Sequence, residues 1–400
     1  MTQRLYHQDS YLKDFRARVT GVDRWKGNPA VVLDRSCFYP ASGGQPSDRG
    51  LLEGLPVVGM ADAGGRLLHL LEQEGLAEGQ VVDGRLHWER RFDHMQQHTG
   101  QHILSQAFVQ VLDWDTVSFH LGRELCTIDL TGDALTPELI YEVEDAANRI
   151  IVECRPIRVH LVDAGRQSEF PLRKPSGRQG TLRIVEVSDF DFSACGGTHC
   201  RSAGEVGLIK IRRWERAKKR VRVEFYCGWR ALRDYRWKNR AVYRLSRLYS
   251  RPDREVVEAA MERMEREEGL RKKLAEVQDR YLDSEAARLL DGAAVVQGIR
   301  VVRRVLTGMD MKAARELSRK LVQDGEKRLA LLGLEGESPA LVFARSEDLP
   351  WHMGNWIRKA APLIAGRGGG SPRHAQARGS RPEGLAQALD DARNRIEEVD

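Results

Sequence analysis

Apolar and polar residues alternate in short runs near the start of the chain: Arg16 to Val22, Ala30 to Phe38, Pro56 to Met60, Arg66 to Leu71 and Val81 to Trp88. Closely spaced runs of this kind, separated by Gly and Pro, predict a small β-barrel over residues 1–90. From Arg91 the period lengthens. Met95, Ile103, Leu104, Ala107, Phe108 and Val111 recur at helical spacing. Thr136 followed by Pro137 marks the start of a second helix, whose apolar face is Leu139, Ile140, Val143, Ala147, Ile150 and Ile151. Strand patterns return at Leu125 to Leu130, Ile157 to Val162, Thr181 to Val187, Val206 to Arg213 and Val221 to Tyr226. Residues 91–240 are therefore expected to form an α+β domain with a mainly antiparallel sheet.

Residues 241–292 predict a long charged helical linker. Val257, Met261, Met264, Leu270, Leu274, Val277 and Tyr281 form a broken three-four seam, which suits either a solvated spacer or a dimerising coil. Beyond it, Ala294 to Val305, Leu329 to Leu334 and Leu341 to Ala344 alternate with helical stretches at Lys312 to Val322 and Trp351 to Ile364. This describes a small α/β domain over residues 293–400, which carries a glycine loop around Gly368-Gly369-Gly370. The overall expectation is an α+β protein of these four segments.

Composition narrows the class. No stretch reaches the ~18 consecutive apolar residues that a membrane helix requires, and the first residues lack the apolar core of a signal peptide, so the expected location is the cytoplasm. Six cysteines in 400 residues are too few for a disulfide scaffold. The net charge of +6 is small against 64 basic and 58 acidic residues, so its distribution matters more than its size. Lys210, Arg212, Arg213, Lys218, Lys219 and Arg220 crowd one region, interleaved and followed by Trp214, Trp229, Tyr235 and Trp237. Basic side chains with aromatics suit phosphate contact and base stacking; a solvated basic hairpin and helix is the plain alternative.

The sharpest chemical feature is a pair of dyads. His98 and His102 lie four residues apart on a predicted helix, so they project from one face and can share a cation. Cys195 and His199 flank Gly196-Gly197-Thr198, a turn that can fold a thiolate and an imidazole onto the same point. Together they form a borderline-soft donor set suited to one tetrahedral Zn²⁺. Cys200 adjoins His199 and competes with Cys195 for the role, although an adjacent pair is sterically awkward for one ion. The first dyad is not HExxH, which disfavours zincin-type peptide hydrolysis, and no DHH-type metal cluster suggests a phosphoesterase. Four permanent ligands would make a closed structural site, and one loosely held ligand would make an open one.

The run Arg91 to His102, followed by Cys195-Gly196-Gly197-Thr198-His199, resembles the editing domain of alanyl-tRNA synthetase and its freestanding AlaX relatives. Phe38-Tyr39-Pro40 with Ser42, Gly43, Gly44, Gln45, Pro46 and Asp48 is similar to the glycine-rich motif that precedes this domain in the synthetase and in long AlaX proteins; taken alone, it reads as a plain turn. Gly368-Gly369-Gly370 with Pro372, Ala375, Gln376 and Gly379 resembles the signature of the DHH-associated domain, with Arg367 and Arg378 departing from it. The resemblance covers nearly the whole chain and leaves no room for an aminoacylation domain. It implies an ATP-independent deacylase that edits alanine tRNA carrying serine, with glycine as a second target, and in which His98, His102, Cys195 and His199 hold zinc. Thr116, His120 and Thr127 are then candidates for reading the serine hydroxyl or orienting water. Gly368, Gly369 and Gly370 join the basic cluster as RNA contacts, and a homodimer through the linker or C-terminal domain is compatible with the seam. The competing reading is a non-catalytic tRNA-binding protein whose zinc staples a loop.

Overall fold

The computed structural model describes residues 2–122 and 124–397. The protein is a mixed α+β chain of two compact units, Met1–Leu245 and Ser246–Asp400.

In the first unit, β1 (Asp14–Trp25), β2 (Asn28–Leu33), β3 (Gly50–Leu52), β4 (Leu55–Ala63), β5 (Arg66–Leu71) and β6 (Val81–Leu86) close into a barrel in the order β1-β2-β5-β4-β3-β6. Val19, Val31, Leu33, Leu52, Leu67, Leu71 and Val82 fill it. The barrel wall contains a fully buried histidine, His69, whose ring nitrogens lie 2.7 Å from Ser36 Oγ and 3.2 Å from Val31 O. Ser36 Oγ also accepts the Phe38 N–H at 3.1 Å, so a neutral imidazole that donates to Val31 and accepts from Ser36 satisfies every partner. Burial lowers the pKa of His69 from 6.5 to about 4. Because the folded pKa lies below the unfolded one, the unfolded chain binds more protons between pH 6.5 and 4, and stability falls as pH drops through that window. A His69→Gln variant is expected to show a flatter pH dependence of denaturant unfolding, by about 3 kcal/mol across the window; parallel curves for the two proteins would contradict this.

Helix α1 (Trp88–Leu112) is buried on nearly every side, including its polar residues. Gln97, for example, donates to Cys227 O at 3.0 Å and accepts from Cys227 N at 2.9 Å. A four-stranded antiparallel sheet packs with it, in the order β12 (Ile209–Ala217), β13 (Arg220–Cys227), β8 (Cys126–Leu130) and β7 (Thr116–Leu121). Helix α2 (Pro137–Val152) begins where the Thr136 side chain caps the Leu139 N–H, with Pro137 in its first turn. It buries Ile140, Val143, Ala147, Ile150 and Ile151, together with Glu144, which accepts from the Ile211 N–H at 2.7 Å. A separate antiparallel sheet holds β9 (Ile157–Asp163), β10 (Thr181–Val187) and β11 (Asp191–Ala194). After β13 the chain enters α3 (Gly228–Tyr249).

The second unit contains α4 (Val256–Asp291) and a six-stranded sheet in the order β14 (Ala294–Val296), β15 (Ile299–Leu306), β16 (Arg328–Leu334), β17 (Ala340–Arg345), β19 (His374–Arg378) and β18 (Arg367–Gly370). Helices α5 (Met311–Gln323), α6 (Met353–Ala360) and α7 (Leu385–Asn394) accompany it. Among the described residues of this sheet, only β15 and β16 pair in parallel. The glycine run departs from the expected loop: Arg367 to Gly370 pair with Arg378 to Ala375 as the edge strand β18. The seam of α4, from Val257 to Tyr281, is between 55 and 71% exposed. Among the described residues, no helix is long and apolar enough to cross a membrane.

Candidate metal centre

His98 and His102 sit one turn apart on α1, and Cys195 and His199 lie in the loop that follows β11. One donor atom from each of the four falls within 4.8 Å of all the others. Cys195 Sγ is 3.4 Å from His98 Nε2 and 3.3 Å from His199 Nε2. The S···N edge of a tetrahedral zinc site with Zn–S of ~2.3 Å and Zn–N of ~2.0–2.1 Å is about 3.6 Å, so the set is already drawn to nearly the right size. The four side chains fit Zn²⁺ by donor type and by spacing.

His98 and His199 are each held from behind through the other ring nitrogen, and His102 faces a carboxylate there. His98 Nδ1 lies 2.8 Å from Gln45 Oε1, His199 Nδ1 lies 3.2 Å from Thr99 Oγ1, and His102 Nδ1 stands 3.4 Å from Asp191 Oδ2, at ion-pair distance. Such partners fix the ring orientation and leave Nε2 free for a metal. Arg183 donates to the carbonyls of Cys195 and Gly197 at 2.8 and 2.9 Å, while the Gly197 N–H points at Cys195 Sγ at 3.4 Å. Gly197 has to be glycine, because a Cβ there would lie 2.2 Å from the His98 ring.

Burial alone would push the Cys195 thiol up. Neighbouring His98 and His199, with hydrogen bonds from His102 and His199, instead hold it well below 9, so a thiolate is favoured. His199 is lowered well below 6.5, by burial and by the adjacent His98. For His102, burial acts downwards, but Asp191 and Cys195 outweigh it and raise the pKa to about 9. Cys200 takes no part: it is buried outside the cluster, and burial lifts its thiol to about 12.

The glycine-rich segment reaches this centre from the barrel side. Ser42 and Gln45 exchange backbone hydrogen bonds at 3.2 and 3.0 Å across Gly43 (φ 52°) and Gly44 (φ 80°), a tight turn that requires positive φ at both central residues. The turn aims Gln45 inward, where it also donates to Thr198 Oγ1 at 2.8 Å and accepts from Thr198 N at 3.1 Å. Read alone the segment looks like a plain turn; in the fold it braces both metal dyads. Asp48, three residues on, forms a buried ion pair with Arg91 at the start of α1, and Arg91 also donates to Cys37 O. Gln45→Ala is expected to weaken zinc affinity by about 10–100-fold, as measured by chelator competition, and an unchanged affinity would show that the brace is idle.

A cavity of about 730 Å³ opens beside the cluster and is lined by His98, His102 and Cys195 among others. Thr116 borders it and donates to Ser105 Oγ at 2.7 Å; Gln101 also borders it and donates to the same oxygen at 2.8 Å. Gln101 Oε1 is buried without a partner among the described residues. His120 and Thr127 are placed elsewhere. They pair across β7 and β8, and neither lines the cavity, because Cys126, Ile128 and Leu130 take the buried face of β8. Strand β7 went unrecognised in the sequence, so the facing of Thr116 and His120 was not readable.

The basic cluster divides. Lys210 pairs with Glu144, Arg212 with Glu224 and Asp234, and Arg213 with Glu224. Lys218, Lys219 and Arg220 lie exposed at the β12–β13 turn. Gly368, Gly369 and Gly370 belong to the second unit, on edge strand β18.

A model of the threonyl and alanyl tRNA synthetase second additional domain matches residues 182–224, which include the Cys195–His199 dyad, and a DHHA1 domain model matches residues 298–398. The alanyl-tRNA editing protein AlaX-L of Pyrococcus horikoshii is 30% identical over 387 residues, which cover 94% of this chain and 95% of that protein. The chain belongs to the long-form AlaX family. The alanine–tRNA ligase of Pyrococcus furiosus is 33% identical over 420 residues; the match covers 100% of this AlaX chain but 43% of the ligase. The crystal structure of the C-Ala domain from Aquifex aeolicus alanyl-tRNA synthetase is 21% identical and covers 24% of the AlaX chain and 91% of that domain, with a TM-score of 0.24, a likeness too weak to carry an argument.

Proposed function

We propose that this AlaX protein hydrolyses the ester of alanine tRNA wrongly charged with serine, and secondarily with glycine, in trans and with one zinc ion held by His98, His102, Cys195 and His199. The observation that carries the reading is the convergence of the two dyads on one point beside an open cavity. Zinc bound there would polarise the ester carbonyl or a water and grip the free amino group. Everything else falls to the chain. Gln45, Thr99 and Asp191 hold the imidazoles in place, and Arg183 fixes the loop that presents the thiolate. A cavity of this volume suits an amino acid joined to a terminal nucleoside.

Selectivity for serine over alanine is assigned to Thr116 and Gln101, which border the cavity and are both held by the buried Ser105 Oγ. The partnerless Gln101 Oε1 can accept from the serine hydroxyl, whereas the alanine methyl leaves it unsatisfied. Discrimination of this kind reaches ~10⁴ where a site is built to bond the hydroxyl. The exposed Lys218, Lys219 and Arg220 are proposed to contact tRNA phosphates, and β18 with Gly368 to Gly370 to add contacts from the second unit. The exposed α4 seam supports a homodimer as the assembled form.

One observation favours the non-catalytic reading: four protein donors saturate a tetrahedral ion and leave no open position. Incubation with seryl-, glycyl- and alanyl-tRNA(Ala), with and without chelator, separates the two. Deacylation of seryl-tRNA(Ala) that stops on chelation supports editing, and zinc-loaded protein that hydrolyses none of the three establishes the binder.

A further inference from the structure

Part of the wall of the cavity is formed by the segment between β9 and β10, which brings Arg173, Lys174 and Arg178 beside the metal cluster. None of the three belongs to the basic cluster between Lys210 and Arg220. Arg173 is anchored: its Nη2 donates to Ser193 Oγ at 2.9 Å and its Nε lies 3.3 Å from Asp191 Oδ1. Asp191 is the carboxylate that stands behind His102, so this segment is tied directly to the metal site. Arg173 Nη1 is buried without a partner among the described residues.

Lys174 and Arg178 are exposed, and among the described residues neither is ion-paired, in contrast to Lys210, Arg212 and Arg213. Arg178 Nη1 lies 3.9 Å from where a Cβ on Gly196 would be, next to Cys195. Among the described residues lining the cavity, Asp115 is the single carboxylate against these three cations. Unneutralised positive charge facing a cavity concentrates anions there; Lys174 and Arg178 supply it, because Arg173 is already paired with Asp191, and the exposed Arg178 guanidinium is shaped for phosphate oxygens.

We propose that Arg173, Lys174 and Arg178 form an anion clamp for the 5′-phosphate of the nucleotide that carries the amino acid. The proposal rests on the editing reading, which places that nucleotide's ribose ester at the cluster; its own phosphate is then one ribose away, on the side where the three cations stand. Lys174 and Arg178 bind the phosphate, and Arg173 acts as the pivot that keeps the segment in register with Asp191 and His102. The clamp secures the tRNA end whatever amino acid it bears and contributes nothing to serine discrimination.

The test compares 5′-AMP with adenosine as inhibitors of seryl-tRNA(Ala) deacylation by the full zinc-loaded chain and by its Lys174→Ala/Arg178→Ala variant. AMP should inhibit the wild type at least ~10-fold more strongly than adenosine, the advantage should vanish in the variant, and the variant's loss on tRNA should fall in KM with kcat kept. Its dependence of log kcat/KM on log salt should also be shallower by ~1.4, the value for two lost contacts to a single strand. Equal inhibition of the wild type by AMP and adenosine, no measurable inhibition by either, or an AMP advantage that survives in the variant overturns the clamp while leaving editing intact. A wild type that deacylates no tRNA removes the editing reading and the clamp with it.

Discussion

Replacing Cys195 with alanine is expected to abolish stoichiometric zinc and to slow single-turnover deacylation of seryl-tRNA(Ala) by at least ~10³-fold, the rate equivalent of about 4 kcal/mol of lost transition-state stabilisation. The argument is local. Cys195 Sγ touches both His98 Nε2 and His199 Nε2, and it is the one anionic donor of the four, set against three crowded imidazoles. Without it, His98, His102 and His199 remain packed ring against ring, with centroids 4.4 to 5.2 Å apart, and lack their softest donor. tRNA affinity should change little, because the cations proposed to bind it lie on other segments. Cys200→Ala is the control: that thiol is buried outside the cluster, so zinc content should stay at one per chain. Metal analysis, filter binding and rapid-quench kinetics check these statements, and a metal-free Cys195→Ala protein with full activity would defeat the assignment.

The second large effect concerns the join between the barrel and α1. Arg91 is 0% exposed and Asp48 is 1% exposed, and the guanidinium is shared among Asp48, Cys37 O and Ser10 O. Removing one partner of a buried pair leaves an uncompensated charge, so Asp48→Ala should cost about 3–5 kcal/mol in denaturant unfolding. Replacing both members with apolar residues of similar volume, as in Asp48→Leu/Arg91→Met, should recover most of that loss, because no bare charge then remains. The single variant should also lose zinc affinity: Asp48 fixes the Tyr39 N–H at 2.7 Å and so the start of the segment that carries Gln45. A single variant as stable as wild type, or a double variant no better than the single, contradicts this account.

How much of this was legible in the sequence depends on whether the signal was local. Helix α2 was, because Thr136, Pro137 and an unbroken apolar face announce it. The dyads were also legible, since a four-residue helical spacing and a Gly-Gly turn are geometric statements in themselves. Strands β3, β7 and β11 were not. Gly50–Leu52 and Asp191–Ala194 are too short to show a period, and Thr116–Leu121 shows no strict alternation of burial along its length. Strand β18 is composed mostly of glycine and takes its form from pairing with β19, a tertiary cause that no local pattern carries. The outer partners of the metal histidines were hidden for the same reason. Gln45, Thr99 and Asp191 are ordinary polar residues until the fold brings Gln45 across 53 positions of chain to His98. One signal was available: a glutamine directly after a Gly-Gly turn is held rigidly enough to aim. Basic residues misled in the other direction, since counting Lys210, Arg212 and Arg213 gave no sign that Glu144, Glu224 and Asp234 would neutralise them.

The most direct test is diffraction from crystals of the zinc-loaded chain at wavelengths on either side of the zinc absorption edge. The account predicts one strong anomalous peak per chain, about 2.0–2.3 Å from His98 Nε2, His102, Cys195 Sγ and His199 Nε2 and bordering the cavity beside Thr116. A peak elsewhere in the molecule, or none in crystals of protein that still deacylates seryl-tRNA(Ala), would contradict it.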